Sequence, residues 1–312
     1  MPDTTTLTPI LPAPEPPKSI YEKIGAALPI ALTAIATAFA GLSSSEMSRA
    51  MYWRSAAAQD QSKAADQWSL AAHKRDRSIM VQTAALQMRS DIGFKLEIPS
   101  DDLFGPKEPP NDTARRWLRG DPQLFGQHLT FNGNGPPPAS LSEIDDPAIR
   151  AVLDGLREGK SEADLLRSAS AVDRGKLDDA LDRAVGEIKR IEAEWKPILE
   201  ILAKRFAAVR ANRDREAQAD HLELDARRYG IEANLNQQLG FLYEVRVKSS
   251  VVQSDRHRVR SEYFFYAMLA GQAGATLAAL ALARKHRSGL WLFAAFVGVV
   301  SLAFGGYVYV TV

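Results

Sequence analysis

Three long stretches without a charged residue constrain this chain more than any other feature. They are residues 24–45, 263–283 and 288–312, and none of them contains Asp, Glu, Lys or Arg. A helix of about 20 apolar residues is long enough to cross the ~30 Å hydrocarbon core of a bilayer. The sequence therefore predicts an all-α membrane protein with three transmembrane helices.

These spans divide the chain into segments of different composition. We expect a disordered Pro- and Thr-rich tail (residues 1–18), a first span (19–45), an Ala-rich helix (46–92) and an irregular Pro/Gly-rich insert (93–139). A helical return arm (140–262), a second span (263–284) and a basic turn with the third span (285–312) follow.

The first span has a second interpretation as a cleaved signal peptide, because Ala38, Phe39 and Ala40 match the small-x-small pattern of cleavage sites. The region in front of this span is long and contains Glu15 and Glu22. These features favour an uncleaved anchor.

The segment after the first span reads as one long helix, because residues 46–91 contain neither Gly nor Pro. Its stripe consists of small residues at nearly heptad spacing, with one large exception, Trp68. Forty-six residues of helix would reach roughly 70 Å. We expect Trp68 to be largely buried against the return arm, in a coiled-coil-like helical hairpin. The predicted hairpin seam comprises Trp68, Leu181, Ile188, Ile191 and Trp195.

Capping patterns locate further helices in the return arm. A capping box from Ser140 to Glu143 predicts a helix start. Asp146 followed by Pro147 offers a second start for a helix that ends at Gly159. Ser161 predicts the start of the next helix. Pro197 lies inside the later apolar stripe, where we expect a kink or a one-turn break.

The second span carries a small residue at every fourth position. Such rows let helix backbones approach closely in lipid. We therefore predict helix packing in the membrane and a homo-oligomer through this row, which consists of Ala267, Gly271, Ala275, Ala279 and Ala283.

Nothing in the sequence predicts an enzyme. The chain has no Cys, no phosphate-binding loop and no nucleophile-elbow motif. Acidic residues surround His221, but the Glu-x-x-His spacing of di-iron helices is absent. We expect no catalytic residue, metal or cofactor. The net charge of +1 gives no electrostatic footprint for nucleic acid.

The basic turn between the second and third spans is the topology signal. Arg284, Lys285 and Arg287 are expected on the cytoplasmic side, together with the N-terminus. Residues 46–262 then face outward from what we take to be a bacterial inner membrane. Other basic residues flank the spans on the opposite side, among them Arg49 and Arg256, and argue for the reverse orientation.

The Ala-rich helix resembles a known family. Residues 65–69 read Ala-Asp-Gln-Trp-Ser, with Ala-Gln at 58–59 before them and Lys-Arg at 74–75 after them. This is similar to a bacterial three-span membrane protein family catalogued as a domain of unknown function. The Ser-Leu after Trp68 and the long insert depart from the family pattern. The resemblance implies the three-span plan and no catalytic residue.

Together these patterns favour a non-enzymatic, oligomeric membrane protein whose helical hairpin is a stalk or scaffold for an unknown protein partner, with membrane lipid around its spans. The alternative is a channel or membrane-effector subunit whose transmembrane helices form a pore.

Topology can be tested with reporter fusions. A reporter active only outside the cytoplasm should be active when inserted within residues 100–139 and silent when inserted after His286. The opposite pattern would overturn the orientation and leave the three spans intact.

Overall fold

The computed structural model describes residues 20–92, 144, 146–209, 214–283 and 289–311. All of its regular elements in these ranges are helices. They are α1 (Ile20–Ile92), α2 (Pro147–Arg157), α3 (Glu162–Ala169), α4 (Arg174–Val209), α5 (Asp214–Ala283) and α6 (Leu290–Thr311).

Three of these helices, α1, α5 and α6, contain stretches long and apolar enough to cross a membrane. The described part of the chain has no strand. The protein is an all-α membrane protein, as the sequence predicts.

The short helices begin where their capping residues predict. Asp146 accepts hydrogen bonds from the backbone N–H groups of Ala148 and Ile149 at 2.9 and 3.2 Å, and α2 then starts at Pro147. Gly159 follows α2 with φ of 66°, a conformation that favours glycine. Ser161 caps α3.

The long helices continue through two places where the sequence analysis set a segment boundary or expected an interruption. The first span and the Ala-rich helix form a single helix, α1, because nothing between them breaks the backbone pattern. Helix α4 continues through Pro197, so the expected one-turn break is absent. The return arm comprises α2, α3, α4 and the part of α5 before the second span. Residues 93–143, which include the predicted insert, lie outside the described residues.

The chain divides into two compact units. The membrane unit comprises Met1–Ala50 and Asp255–Val312, and the helical unit comprises Met51–Ser254. In the membrane unit, Phe39 of α1 packs with Phe264 of α5 and Val308 of α6. All three spans therefore meet in one small core.

The core of the helical unit, which we call the α2–α4–α5 core, joins these three helices and includes Ala169 of α3. Its most buried side chains include Ile149, Leu177 and Leu242, which have no measurable exposure. Leu181 is buried in the same core, and Ile188 is partly buried against it. These contacts hold the two short helices against the long ones.

Asp146 links the α2 cap to α4, and its charge should make the stability of the fold depend on pH. The hydrogen bond from Lys176 Nζ, at 3.0 Å, holds the pKa of Asp146 below its ordinary value, and backbone N–H groups at the cap lower this pKa further. A carboxyl group with a lowered pKa stabilises the fold above its unfolded pKa, and this contribution disappears as the pH falls through the folded pKa.

Asp146→Asn should keep the cap, since Asn caps as well as Asp, and should weaken the loss of stability in acid. Thermal melts followed by circular dichroism, at about pH 7 and about pH 3, bracket the ordinary Asp pKa. An equal acid loss in both proteins would contradict the role of the charge.

Candidate functional site

Two glycines of α6 leave no room for a side chain in the membrane unit. Leu32 of α1 packs onto Gly298, and the ring of Phe39 packs onto Gly305, so closely that a Cβ at either glycine would overlap these side chains. Because lipid is as apolar as Leu, such packing and interhelical hydrogen bonds hold spans together. This interface therefore depends on the absence of side chains at both positions.

The predicted row of small residues on α5 does not stay on one face of the helix. Ala267 and Gly271 are buried, Ala275 is half-buried, and Ala279 and Ala283 are exposed. Ser301 donates to the carbonyl oxygen of Ala267 at 2.7 Å, and a Cβ on Gly271 would lie 3.2 Å from that of Ala36. The row thus begins inside the bundle and ends on its outer surface.

Helix geometry explains this division. A step of four residues turns the helix by 400°, so a row with this spacing rotates by 40° per step. The face that stays buried alternates steps of three and four residues. It consists of Ala267, Gly271, Gly274, Ala278 and Ala281.

In the helical unit, small residues recur at every seventh position on both long helices. The α1 residues are all buried, and Ser78 donates to the carbonyl oxygen of Ala226 at 2.7 Å. We call these two rows the Ala seam. It consists of Ala57, Ala64, Ala71, Ser78 and Ala85 on α1 and Ala219, Ala226, Ala233 and Gly240 on α5.

Trp68 packs beside the Ala seam and is half-buried, so its expected deep burial is not observed. Its ring meets the ring of Phe241 edge-on, with centroids 4.8 Å apart, and its Nε1 donates to Glu244 at 2.8 Å. Trp68 therefore contacts α5. Leu181 and Ile188 of the predicted seam belong to the α2–α4–α5 core, and the side chains of Ile191 and Trp195 lie outside the described residues.

A charge network that contains one buried carboxylate, Asp60, joins three helices of the helical unit. Asp60 of α1 is 3% exposed and lies 3.2 Å from Arg246 Nε of α5. The same guanidinium lies 3.5 Å from Asp178 of α4. Loss of one partner of a buried ion pair leaves an uncompensated charge. This network was not predicted from the sequence. The one sequence feature that indicated it is an acidic residue, Asp60, within an Ala-rich stripe.

A second unpredicted pair lies in the membrane unit. His257 Nδ1 and Glu46 Oε2 are 2.5 Å apart, and both side chains are largely buried. Close by, Ser43 and Ser261 each donate to the other's carbonyl oxygen, at 2.9 and 2.8 Å. The one sequence feature that indicated this pair is the position of Glu46, which directly follows the first uncharged stretch.

Two of the acidic residues near His221, Glu223 and Asp225, lie close to basic side chains. His221 lies 3.3 Å from Asp225, and Glu223 lies 2.7 Å from Arg227. Within the described residues, no group of three potential metal ligands lies together. The three residues of the predicted topology signal, Arg284, Lys285 and Arg287, lie outside the described residues.

A heptad row of exposed apolar residues lies beside the Ala seam on α1, one residue further along the chain and so about 100° around the helix. Met51, Ile79 and Leu86 are 68%, 55% and 60% exposed. We call this row the outer row. It consists of Met51, Ala58, Ala65, Ala72, Ile79 and Leu86, all of them exposed.

No protein-family model, curated protein or solved structure matches this chain. The resemblance of residues 65–69 to a family of unknown function therefore stays a prediction.

The glycine contacts of the membrane unit generate a matched pair of variants. Gly305→Ala should push the Phe39 ring out of its position and loosen the packing of α1 on α6, whereas the neighbouring Gly306 has no atom within 4 Å of an added Cβ. Overpacking typically costs about 1–3 kcal/mol.

Thermal melts in detergent should show a lower midpoint for Gly305→Ala and no loss for Gly306→Ala. Equal midpoints for the two variants would show that the bundle does not depend on this contact.

Proposed function

We propose that this protein is a non-enzymatic, oligomeric membrane scaffold that presents the outer row of α1 to a protein partner. The observation that carries the proposal is the exposure of Met51, Ile79 and Leu86 in one heptad row. An exposed apolar patch of this kind marks an interaction surface in many soluble domains.

The Ala seam, about 100° around α1 from the outer row, supports this proposal because it is already occupied. The Ala seam is covered by α5, and Trp68 and Asp60 are also engaged on that side. The outer row has no comparable cover within the described residues. A partner helix with its own apolar stripe is the occupant that a heptad row fits best.

We further propose that α1 and α5 pair as an antiparallel coiled coil. The heptad spacing of small residues on both helices supports this pairing. A long pair of helices held by specific contacts gives a partner a defined surface, as a stalk or scaffold needs. Residues 46–262 are proposed to face outward from a bacterial inner membrane.

The structure gives no added support to a pore. The sequence offers Gln272, Thr33 and Thr37 as candidate lining residues of a pore. Each of the two Thr hydroxyls donates to the carbonyl oxygen four residues earlier, at 2.8 and 2.9 Å. These hydroxyls are satisfied by their own helix.

The scaffold is tested by photo-crosslinking in native membranes. A photoreactive residue in place of Ala72, in the outer row, should give a discrete adduct with a partner protein. Ile79→Ser together with Leu86→Ser should abolish that adduct, because these changes remove the apolar anchors on the same face.

Met80→Ser is the matched control, since Met80 is 65% exposed but lies on another face of α1. It should leave the adduct unchanged. Absence of any adduct, or equal loss in the control, would overturn the outer row as the docking surface.

A further inference from the structure

Gln272 is a polar side chain in the middle of the second span. It lies ten residues from Glu262 and twelve from Arg284 along the sequence, so it is about 15 Å or more from either charged end of the span. Its side chain is exposed and makes no hydrogen bond within the described part of the chain.

Four other polar side chains of the spans differ from Gln272 because each has a hydrogen-bond partner within the bundle. Thr33, Thr37 and Thr276 each donate to a carbonyl oxygen of their own helix, and Ser301 donates to that of Ala267. A hydroxyl has one hydrogen to donate, whereas a Gln amide has two, together with an acceptor oxygen. Gln272 therefore brings an unsatisfied amide onto the outer surface of the bundle.

Neither water nor the lipid headgroups can satisfy this amide. The hydrocarbon core holds no water, and an amide without a partner there costs several kcal/mol. The Gln side chain is also too short to reach the interface from the centre of the bilayer. A partner must therefore come from another membrane-spanning segment.

The surroundings of Gln272 allow a second helix to approach. Thr276, Ala279 and Ala283 are exposed on the same face of α5, at steps of four, three and four residues. Gln272 and Ala279 directly follow Gly271 and Ala278, which pack inside the bundle, so this face lies about 100° around the helix from them. It is therefore free for a contact outside the chain.

We propose that this face binds the same face of a second copy, with the two Gln272 amides hydrogen-bonded to each other. Copies inserted in one membrane share their orientation, so the two α5 helices run parallel and place both amides at the same depth. An amide is self-complementary, because each can donate to the other's oxygen. A different partner would need its own polar group at that depth.

The inference rests on the oligomeric part of the proposed function and names its contact. The chain has no Cys, so one introduced thiol reports on one position. Ala279→Cys, on the proposed interface, should form a disulfide between copies when membranes are oxidised with copper–phenanthroline. Ala273→Cys is the matched control, because Ala273 is also exposed but lies 100° around the helix from Gln272.

Gln272→Leu in the full-length protein should weaken association, measured by energy transfer between labelled copies in liposomes. An interhelical hydrogen bond in a membrane supports a loss of roughly 3- to 30-fold in the association constant. Ala273→Leu adds bulk next to this position on another face and should leave the constant unchanged. Folding should survive, because Gln272 has no contact inside the bundle to lose.

Crosslinking at residue 279 but not 273, with weaker association of Gln272→Leu, would support the interface. Association of wild type and Gln272→Leu with equal strength would overturn it and leave the oligomer standing through another contact. A wild-type protein that stays a single copy would overturn both the interface and the oligomer, whereas the crosslinking test of the outer row is independent of either result.

Discussion

The close approach of α1 and α5 is the constraint on which the rest of the helical unit depends. Both helices carry Ala, Ser or Gly at every seventh position, and Ser78 bonds directly to a backbone carbonyl oxygen of α5. Small side chains bury little apolar area, so the hydrophobic contribution per residue is modest. Small side chains instead let the backbones of α1 and α5 approach closely, so that side chains beside the seam reach the opposite helix.

The anchors beside the seam follow from this proximity. Trp68 reaches Phe241 and Glu244, and Asp60 reaches Arg246, which in turn faces Asp178 of α4. Methyl groups alone would permit neighbouring registers, whereas these directional contacts require one. The spans use the same principle in a different solvent: the glycines of α6 admit Leu32 and Phe39, since close packing rather than the hydrophobic effect holds helices together in lipid.

Local patterns in the sequence predicted the local structure. The three uncharged stretches, the Asp146 and Ser161 caps and the absence of Gly and Pro after residue 46 each act within one helix. The one-turn break that was one of the two expectations at Pro197 is absent, since a helix that is long on both sides can continue through one lost hydrogen bond. The burial of Trp68 was overestimated, because its neighbour is an α5 surface that includes Gly240 and the polar Glu244.

The sequence by itself determined the all-α class, the three membrane-spanning stretches and most helix starts, because hydropathy, propensity and capping act over a few neighbouring residues. Only the tertiary structure decided which small residues meet. Small residues at every fourth position and small residues at alternating steps of three and four positions are hard to tell apart in the sequence. The first row rotates away from the packing face by 40° per step, and so Ala279 and Ala283 lie on the outside. The pairing of Asp60 with Arg246 and of Glu46 with His257 was likewise invisible in sequence, since it depends on the antiparallel register of two helices far apart in the chain.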